Sequence, residues 1–219
     1  MAHSSPTSRF ARRARAASAS CLLACCTLLV PPAPTSAQSV APGDVDMGAI
    51  ERRIEMIRPK SGPPGTVVHV STADMPVITP IRVGIGAPQA GFEAFEELLT
   101  GQEGEFEVTV AVPEWASWDR VHLFIVFDIY FRPIALSDAF HVTNAEGLIR
   151  RSGRVETSAD GCRVLRDIDG VQYALTGERV AELEAVPPST RVTLEGRVGA
   201  EPLCSLGNVL EVVEVVTGG

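Results

Sequence analysis

From Ile54 onward, apolar residues come in short runs rich in valine, isoleucine and phenylalanine, and glycine, proline or aspartate separates the runs. The spacing of three or four residues that marks an amphipathic helix is nearly absent. Runs of this length and composition are typical of β-strands. We therefore predict an all-β chain, whose first half has strands at TVVHVS (66–71), IRVGI (81–85), EFEVTVAVP (105–113) and VHLFIVF (121–127).

Alternation within these runs predicts which side chains face a core, because successive side chains of a strand point to opposite faces. In the first run, Val68 and Val70 share one face, whereas Val67, His69 and Ser71 share the other. Two later runs each place four apolar residues on one face: Phe106, Val108, Val110 and Val112, then Val121, Leu123, Ile125 and Phe127. Two sheets that bury such faces form a β-sandwich, which we predict over residues 51–145.

The segment SGPPG at 61–65 has the glycines of a phosphate-binding loop, but it lacks the donors of one. Such a loop presents backbone amides at the start of a helix, whereas Pro63 and Pro64 have no amide hydrogen. The residues that follow are β-branched and read as a strand. The segment therefore predicts a turn between two strands.

Residues 146–219 differ from the first half in the spacing of their apolar runs. They contain five strand-like runs: GLIRRSGRVET, CRVLRD, VQYALT, RVTLEGRV and NVLEVVEVV. DIDG at 167–170 predicts a tight hairpin between the second and third runs. GERVAELEAV at 177–186 is the one plausible helical turn, and it precedes the last two strands. Five short strands with a helix in this place predict a small OB-like barrel.

Two resemblances agree with this division. Over residues 54–143 the chain resembles the immunoglobulin-like IPT/TIG family, on IRPKSGPPGTVVHVS, GEFEVTVAVP and AFHVT, although TADMPVITP stands where that family has a glycine-rich turn. The resemblance implies an immunoglobulin-like sandwich of the spacer or interaction kind, with no catalytic residues to carry over. Residues 147–216 look like a family of small exported bacterial domains with OB-type barrels, which implies a fold and a disulfide.

The N-terminus has the order of a secretory signal peptide, with four arginines, then the apolar run 16–30, then PPAPTSA. We predict cleavage before Gln38 and a disordered leader over 38–50. LLAC, ending at Cys25, leaves a lipoprotein anchor as an alternative. The apolar run is shorter than the roughly 20 residues that span a bilayer, so we predict no transmembrane span after cleavage and a periplasmic or extracellular protein.

Export changes the charge and the cysteine chemistry of the chain. The four arginines leave with residues 1–37, so 15 of the 19 basic residues remain against 27 acidic residues and the net charge is −12. A surface of this charge makes nucleic acid an unlikely partner. Only Cys162 and Cys204 remain after cleavage, and an even pair in an oxidising compartment predicts a disulfide.

No constellation of catalytic residues stands out. His69, His122 and His141 lie on separate strand-like runs, and we expect them to point outward from the sandwich. His122 and His141 on neighbouring strands leave a metal site as the alternative. No serine lies in a G-x-S-x-G elbow, and the cysteines are expected to pair with each other. We predict no enzyme activity, no cofactor and no metal.

Two sets of residues are candidates for binding. Trp115 and Trp118 lie on a loop after a strand, where they form a contact surface or pack over the sandwich end. Five arginines mark the first two barrel strands, as a docking patch or a solvated face: Arg150, Arg151, Arg154, Arg163 and Arg166.

The sequence thus predicts an exported, non-catalytic binding or structural protein of the cell envelope, contacting protein or glycan. The alternatives are a barrel that binds oligosaccharide or oligonucleotide, and an accessory subunit of a secreted enzyme. Tyr173 is the only aromatic residue of the barrel region, which disfavours a platform for stacking bases.

Overall fold

The computed structural model of the chain describes residues 50–88, 90–187 and 190–216, and the backbone of 38–40. Over these residues the chain is built of strands with one short 3₁₀ helix, which confirms the all-β class. No helix in the described ranges has both the length and the apolar character that crossing a membrane requires. The predicted signal peptide and most of the predicted leader lie outside the described residues. Residues Gln38–Val40 of the leader form a strand paired with Phe92–Ala94, so the expectation of disorder is wrong for these three residues.

Fifteen strands follow one another within the described residues. The first ten are β1 (Gln38–Val40), β2 (Arg52–Arg53), β3 (Met56–Arg58), β4 (Ser61–Gly62), β5 (Val67–Thr72), β6 (Pro80–Ala87), β7 (Gly91–Leu99), β8 (Phe106–Ala111), β9 (Val121–Phe127) and β10 (Pro133–Val142). The others are β11 (Ile149–Thr157), β12 (Arg163–Asp167), β13 (Gln172–Thr176), β14 (Arg191–Val198) and β15 (Val209–Val216), with the 3₁₀ helix Glu178–Ala185 before β14.

Strands β1 to β10 form two sheets. The larger sheet has the order β1-β7-β6-β9-β10-β2, with β4 also paired to β10, and the smaller sheet has the order β3-β5-β8. Both sheets contribute to one apolar core: Val68, Val70 and Val110 from the smaller sheet contact the cluster that holds Val83 and Phe124 of the larger one. Burial of this core, not helix or turn formation, holds the two sheets together.

The first strand after SGPPG follows the predicted alternation. Val68 and Val70 are buried, and Val67 and His69 are exposed. The turn prediction is confirmed as well, because the Thr66 amide donates to the Pro63 carbonyl at 3.1 Å and Gly65 takes a φ of 84°. Only glycine adopts such a φ without steric cost, which explains its place in the turn.

Strand β9 departs from the prediction. Phe124 and Val126 face the core between the sheets, whereas Ile125 and Phe127 belong to a separate cluster on the other side of the larger sheet. The expectation that Val121, Leu123, Ile125 and Phe127 form the sandwich core is therefore wrong. The reason is that β9 lies inside the larger sheet and is buried on both faces, so its continuous apolar run carries no alternation to choose a face.

Strands β11 to β15 close into a barrel with the order β11-β12-β13-β15-β14. The predicted hairpin at 167–170 is present, since the Asp167 amide donates to the Val171 carbonyl at 2.9 Å. Leu183 of the 3₁₀ helix is fully buried in the barrel core, beside Leu165 and Leu210. Val180 of the same helix packs against this core as a half-buried residue, so the helix covers the barrel through these two side chains.

The disulfide prediction is confirmed. Cys162, just before β12, is bonded to Cys204, which lies 42 residues further along the chain. Cys204 and Ser205 occupy a tight turn that Leu203 and Leu206 close by pairing with each other. The bond therefore ties the loop between β14 and β15 to the start of β12.

We expect the disulfide to contribute about 3 to 4 kcal/mol to the free energy of unfolding, because it closes a long loop in the unfolded chain. Urea denaturation of the oxidised chain and of the Cys162→Ser/Cys204→Ser variant measures the difference. Thiol titration of the native oxidised chain should find neither cysteine reactive. An unchanged unfolding free energy in the variant would contradict the prediction.

Candidate functional site

Arg151 lies at the junction between the larger sheet and the barrel, and it is 1% exposed. It comes from β11, where alternation turns it inward between the half-buried side chains of Arg150 and Ser152. Its five N–H groups donate to the Tyr173 hydroxyl (3.0 Å), the carbonyls of Trp118 (2.9 Å), Arg150 (2.7 Å) and Arg120 (3.0 Å), and His141 Nδ1 (3.3 Å). Each N–H group of this buried guanidinium therefore has a hydrogen-bond acceptor. A buried cation is tolerated only when its donors are paired in this way.

Further contacts complete this junction, which we call the Arg151 joint. The Val121 amide donates to Asp169 Oδ2 at 3.1 Å, and the Arg150 amide donates to the Trp118 carbonyl at 3.0 Å. The side chain of Val121 belongs to the barrel core, and Leu123 and Ala139 of the larger sheet pack against that core. Residues 118–121 are therefore held to the barrel by both polar and apolar contacts.

His122 and His141 are buried, not directed outward, so that expectation is wrong for both of them. Burial, together with a smaller contribution from the Arg151 charge, lowers the pKa of His122 to about 4 and that of His141 to about 3. His122 Nδ1 donates to the Arg120 carbonyl at 3.3 Å. Only His69 lies exposed on its strand. Both buried imidazoles are thus neutral at pH 7 and serve as hydrogen-bonding groups of the joint.

Asp167 is the one acid beside this cation. Its Oδ2 atom is buried without a hydrogen-bond partner, 3.9 Å from Arg151 Nε. Burial raises the pKa of Asp167 to about 6, and nearby Asp169 adds to the rise, against the lowering effect of the Val171 amide and Arg151. The carboxylate therefore lies within reach of protonation just below neutral pH.

Two of the predicted binding residues meet at the joint. The Arg150 guanidinium lies 4.6 Å from the centre of the Trp118 ring and pairs with Glu195, and Trp118 packs against the core between the sheets. Trp115 is half exposed, donates to Glu93 and stacks on His122 with the ring centres 6.0 Å apart. The two tryptophans thus have separate surroundings, and Trp118 contributes to the packing of the core between the sheets.

The five arginines do not form one face. Arg151 is buried, so it belongs to no exposed patch. Arg163 donates to the Leu183 carbonyl at 2.6 Å and to the Thr157 hydroxyl at 3.1 Å, which fastens the 3₁₀ helix. Arg154 and Arg166 are exposed on the outer surface of the barrel, as the sequence predicts.

A groove of about 1550 Å³ lies between the larger sheet and the barrel. Its apolar lining is almost wholly aliphatic, with Leu123, Leu136, Ala139, Val171 and Val198 and the single aromatic ring of Phe92. Sequence reasoning missed this site, because its lining residues come from distant elements that only tertiary packing brings together.

Two local features shape the groove walls. On the sheet side, the β9–β10 pairing shifts register between Leu136 and Ala139, which places Asp138 on the rim within 3.4 Å of Arg53 and 3.7 Å of Lys60. On the barrel side, the wall is the loop that carries Cys204, and Ala200, Pro202 and Leu206 of this loop line the groove. The disulfide therefore holds one wall in place.

No group of three histidine, cysteine, aspartate or glutamate residues with metal-binding geometry occurs in the part of the chain that the structure describes. No protein-family model, no curated protein and no solved structure matches the chain. The IPT/TIG and OB-like resemblances and the predicted domain boundaries accordingly stay predictions.

We expect Arg151→Gln to lower the free energy of unfolding by about 3 kcal/mol or more, because it leaves buried carbonyls and the Tyr173 hydroxyl without donors. Arg150→Gln is the matched control. Its ion pair is partly exposed, so its loss should cost no more than about 1 kcal/mol. Urea denaturation measures both variants, and equal losses would show that Arg151 does not hold the joint.

The buried histidines predict acid sensitivity. Unfolded histidines bind protons below about pH 6.5, whereas His122 and His141 in the folded chain do so only near pH 4 and 3, so stability falls as the pH drops from 6.5 to 4. Asp167 acts in the opposite direction between pH 6 and 4, because its pKa is raised on folding. The two histidines outweigh Asp167, so lowering the pH from 6.5 to 4 reduces the free energy of unfolding by on the order of a few kcal/mol.

Urea denaturation at pH 7.5, 6.5, 5.5 and 4.5 tests this expectation. His122→Gln should flatten the decline, and the exposed His69→Gln control should leave it unchanged. A stability that is constant or rises over this range would contradict the assignment of neutral buried histidines.

Proposed function

We propose that this chain is an exported, non-catalytic binding protein of the cell envelope that holds an extended peptide segment of a partner protein in the groove between the larger sheet and the barrel. The observation that carries the proposal is the groove itself. Its volume of about 1550 Å³ exceeds the roughly 300 to 1000 Å³ typical of small-molecule sites, so it suits a length of polymer.

The lining favours peptide over the other polymers. Aliphatic side chains such as Leu123 and Val198 offer contacts for apolar side chains, whereas sugar rings and bases need aromatic faces and find only Phe92 and the buried imidazole of His141 among the described lining residues. Tyr173, the aromatic residue of the barrel, is fully buried. Asp138, Arg53 and Lys60 on the rim supply polar groups for a peptide backbone and for charged side chains.

The walls of the groove are preorganised, which supports binding without a large ordering cost. The Arg151 joint fastens the barrel to the larger sheet on one side of the groove. The disulfide at Cys204 fastens the loop on the other side. Export, on which the envelope location rests, is supported by the sequence of residues 1–37 and by this disulfide.

A photo-reactive amino acid placed at Asp138 or at Ala200, on the two walls, tests the proposal in the producing cells. We expect both positions to cross-link to the same segment of one partner protein. Ala185 is the control position, exposed on the 3₁₀ helix and outside the groove. A synthetic peptide of the cross-linked segment should then bind the purified chain.

Ala200→Trp should block the groove and weaken binding of that peptide by at least about tenfold, whereas Ala185→Trp should leave it unchanged. Cross-links no more frequent at the two walls than at Ala185, or adducts to glycan, would overturn the proposal. So would a peptide that binds Ala200→Trp as tightly as the unaltered chain.

A further inference from the structure

Three arginines stand in register on the outer surface of the barrel. Arg154 of β11 is directly opposite Arg166 of β12 on one side and opposite Arg191 of β14 on the other. All three side chains are exposed. We call these three residues the arginine row. Only the strand order reveals it, because Arg191 is far from the other two in sequence.

The row is unfavourable for the fold itself. Like charges directly opposite each other on neighbouring strands destabilise a sheet, and the row contains two such pairs. Among the described residues the row has one exposed ion pair, Arg166 with Glu156 at 3.6 Å. The barrel region carries 8 basic and 12 acidic residues, and yet neither Arg154 nor Arg191 forms an ion pair within the described part of the chain. A local conflict of this kind is expected at a functional site.

The spacing and the surroundings of the row indicate the chemistry of a ligand. Neighbouring strands lie about 4.8 Å apart, so the three arginines form a short line of positive charge across the outer surface of the barrel. Beside the row, the hydroxyls of Ser152 and Thr193 face each other at 2.7 Å, and Gln172 pairs with Arg166 in the strand register. These neutral groups suit sugar hydroxyls.

We propose that the arginine row binds an acidic polysaccharide, whose uronate carboxylates pair with the arginines. Guanidinium groups bind carboxylates through paired hydrogen bonds. An acidic peptide offers the same charge without sugar hydroxyls, and the experiment below compares the two ligands. A single-stranded nucleic acid fits less well, since the row has no exposed aromatic ring for a base to stack on.

Binding of a galacturonic acid decamer to the purified chain tests the proposal. We expect binding at low salt that weakens as salt rises, and no binding of the methyl-esterified decamer, which keeps the sugar chain without the charges. The variant Arg154→Gln/Arg166→Gln/Arg191→Gln should lose at least about tenfold in affinity. Its melting temperature should not fall, because the substitutions remove the like-charge pairs.

Arg52→Gln/Arg58→Gln/Arg179→Gln is the matched control, with the same change in net charge at exposed arginines outside the row. Its affinity should stay within about twofold of the unaltered chain. Equal losses in the two triple variants, or no binding of the decamer, would overturn the proposal. Tighter binding of decaglutamate or of a ten-residue oligothymidylate would reassign the row to peptide or nucleic acid. Ala200→Trp alters the groove and leaves the arginine row unchanged, so the two proposals are tested independently.

Discussion

The buried guanidinium of Arg151 is the constraint on which the arrangement of this protein depends. A cation that is 1% exposed is tolerated only if each of its donors finds an acceptor, and the barrel alone does not provide five. The loop that precedes β9 supplies two more through the carbonyls of Trp118 and Arg120, and β10 of the larger sheet supplies His141. The barrel and the sheet are therefore coupled, because separating them would leave this charge and several carbonyls without partners. Apolar contact by Val121 adds burial to the same junction.

The joint explains why the groove has a defined shape. Two layers that merely touched would slide against each other, whereas a junction fixed by directional hydrogen bonds holds the sheet face opposite the barrel wall. The disulfide acts at the other boundary, where it restrains the loop that carries Ala200 and Leu206. Rigid walls lower the ordering cost of binding an extended ligand. The same features that stabilise the fold thus prepare its largest concave surface.

The two candidate surfaces differ in how charged side chains are distributed on them. On the groove rim, Asp138 is balanced by Arg53 and Lys60, and the floor is aliphatic, which suits a peptide of mixed character. On the outer barrel surface, the arginine row concentrates one sign of charge in an acidic chain. In the two proposals, the first surface selects its ligand by shape and apolar contact, and the second by electrostatic attraction. Together the proposals describe a protein that joins a partner protein to an acidic glycan.

The sequence alone determined the all-β class, the SGPPG and DIDG turns and the disulfide, because each rests on local backbone chemistry or on a count of cysteines. Only the tertiary structure decided the rest. Strand β9 has two buried faces, so its pattern named the wrong core face, and His122, His141 and Arg151 are polar residues that a pattern places in solvent. Their burial depends on partners from distant strands, and no local signal in a sequence reports such partners.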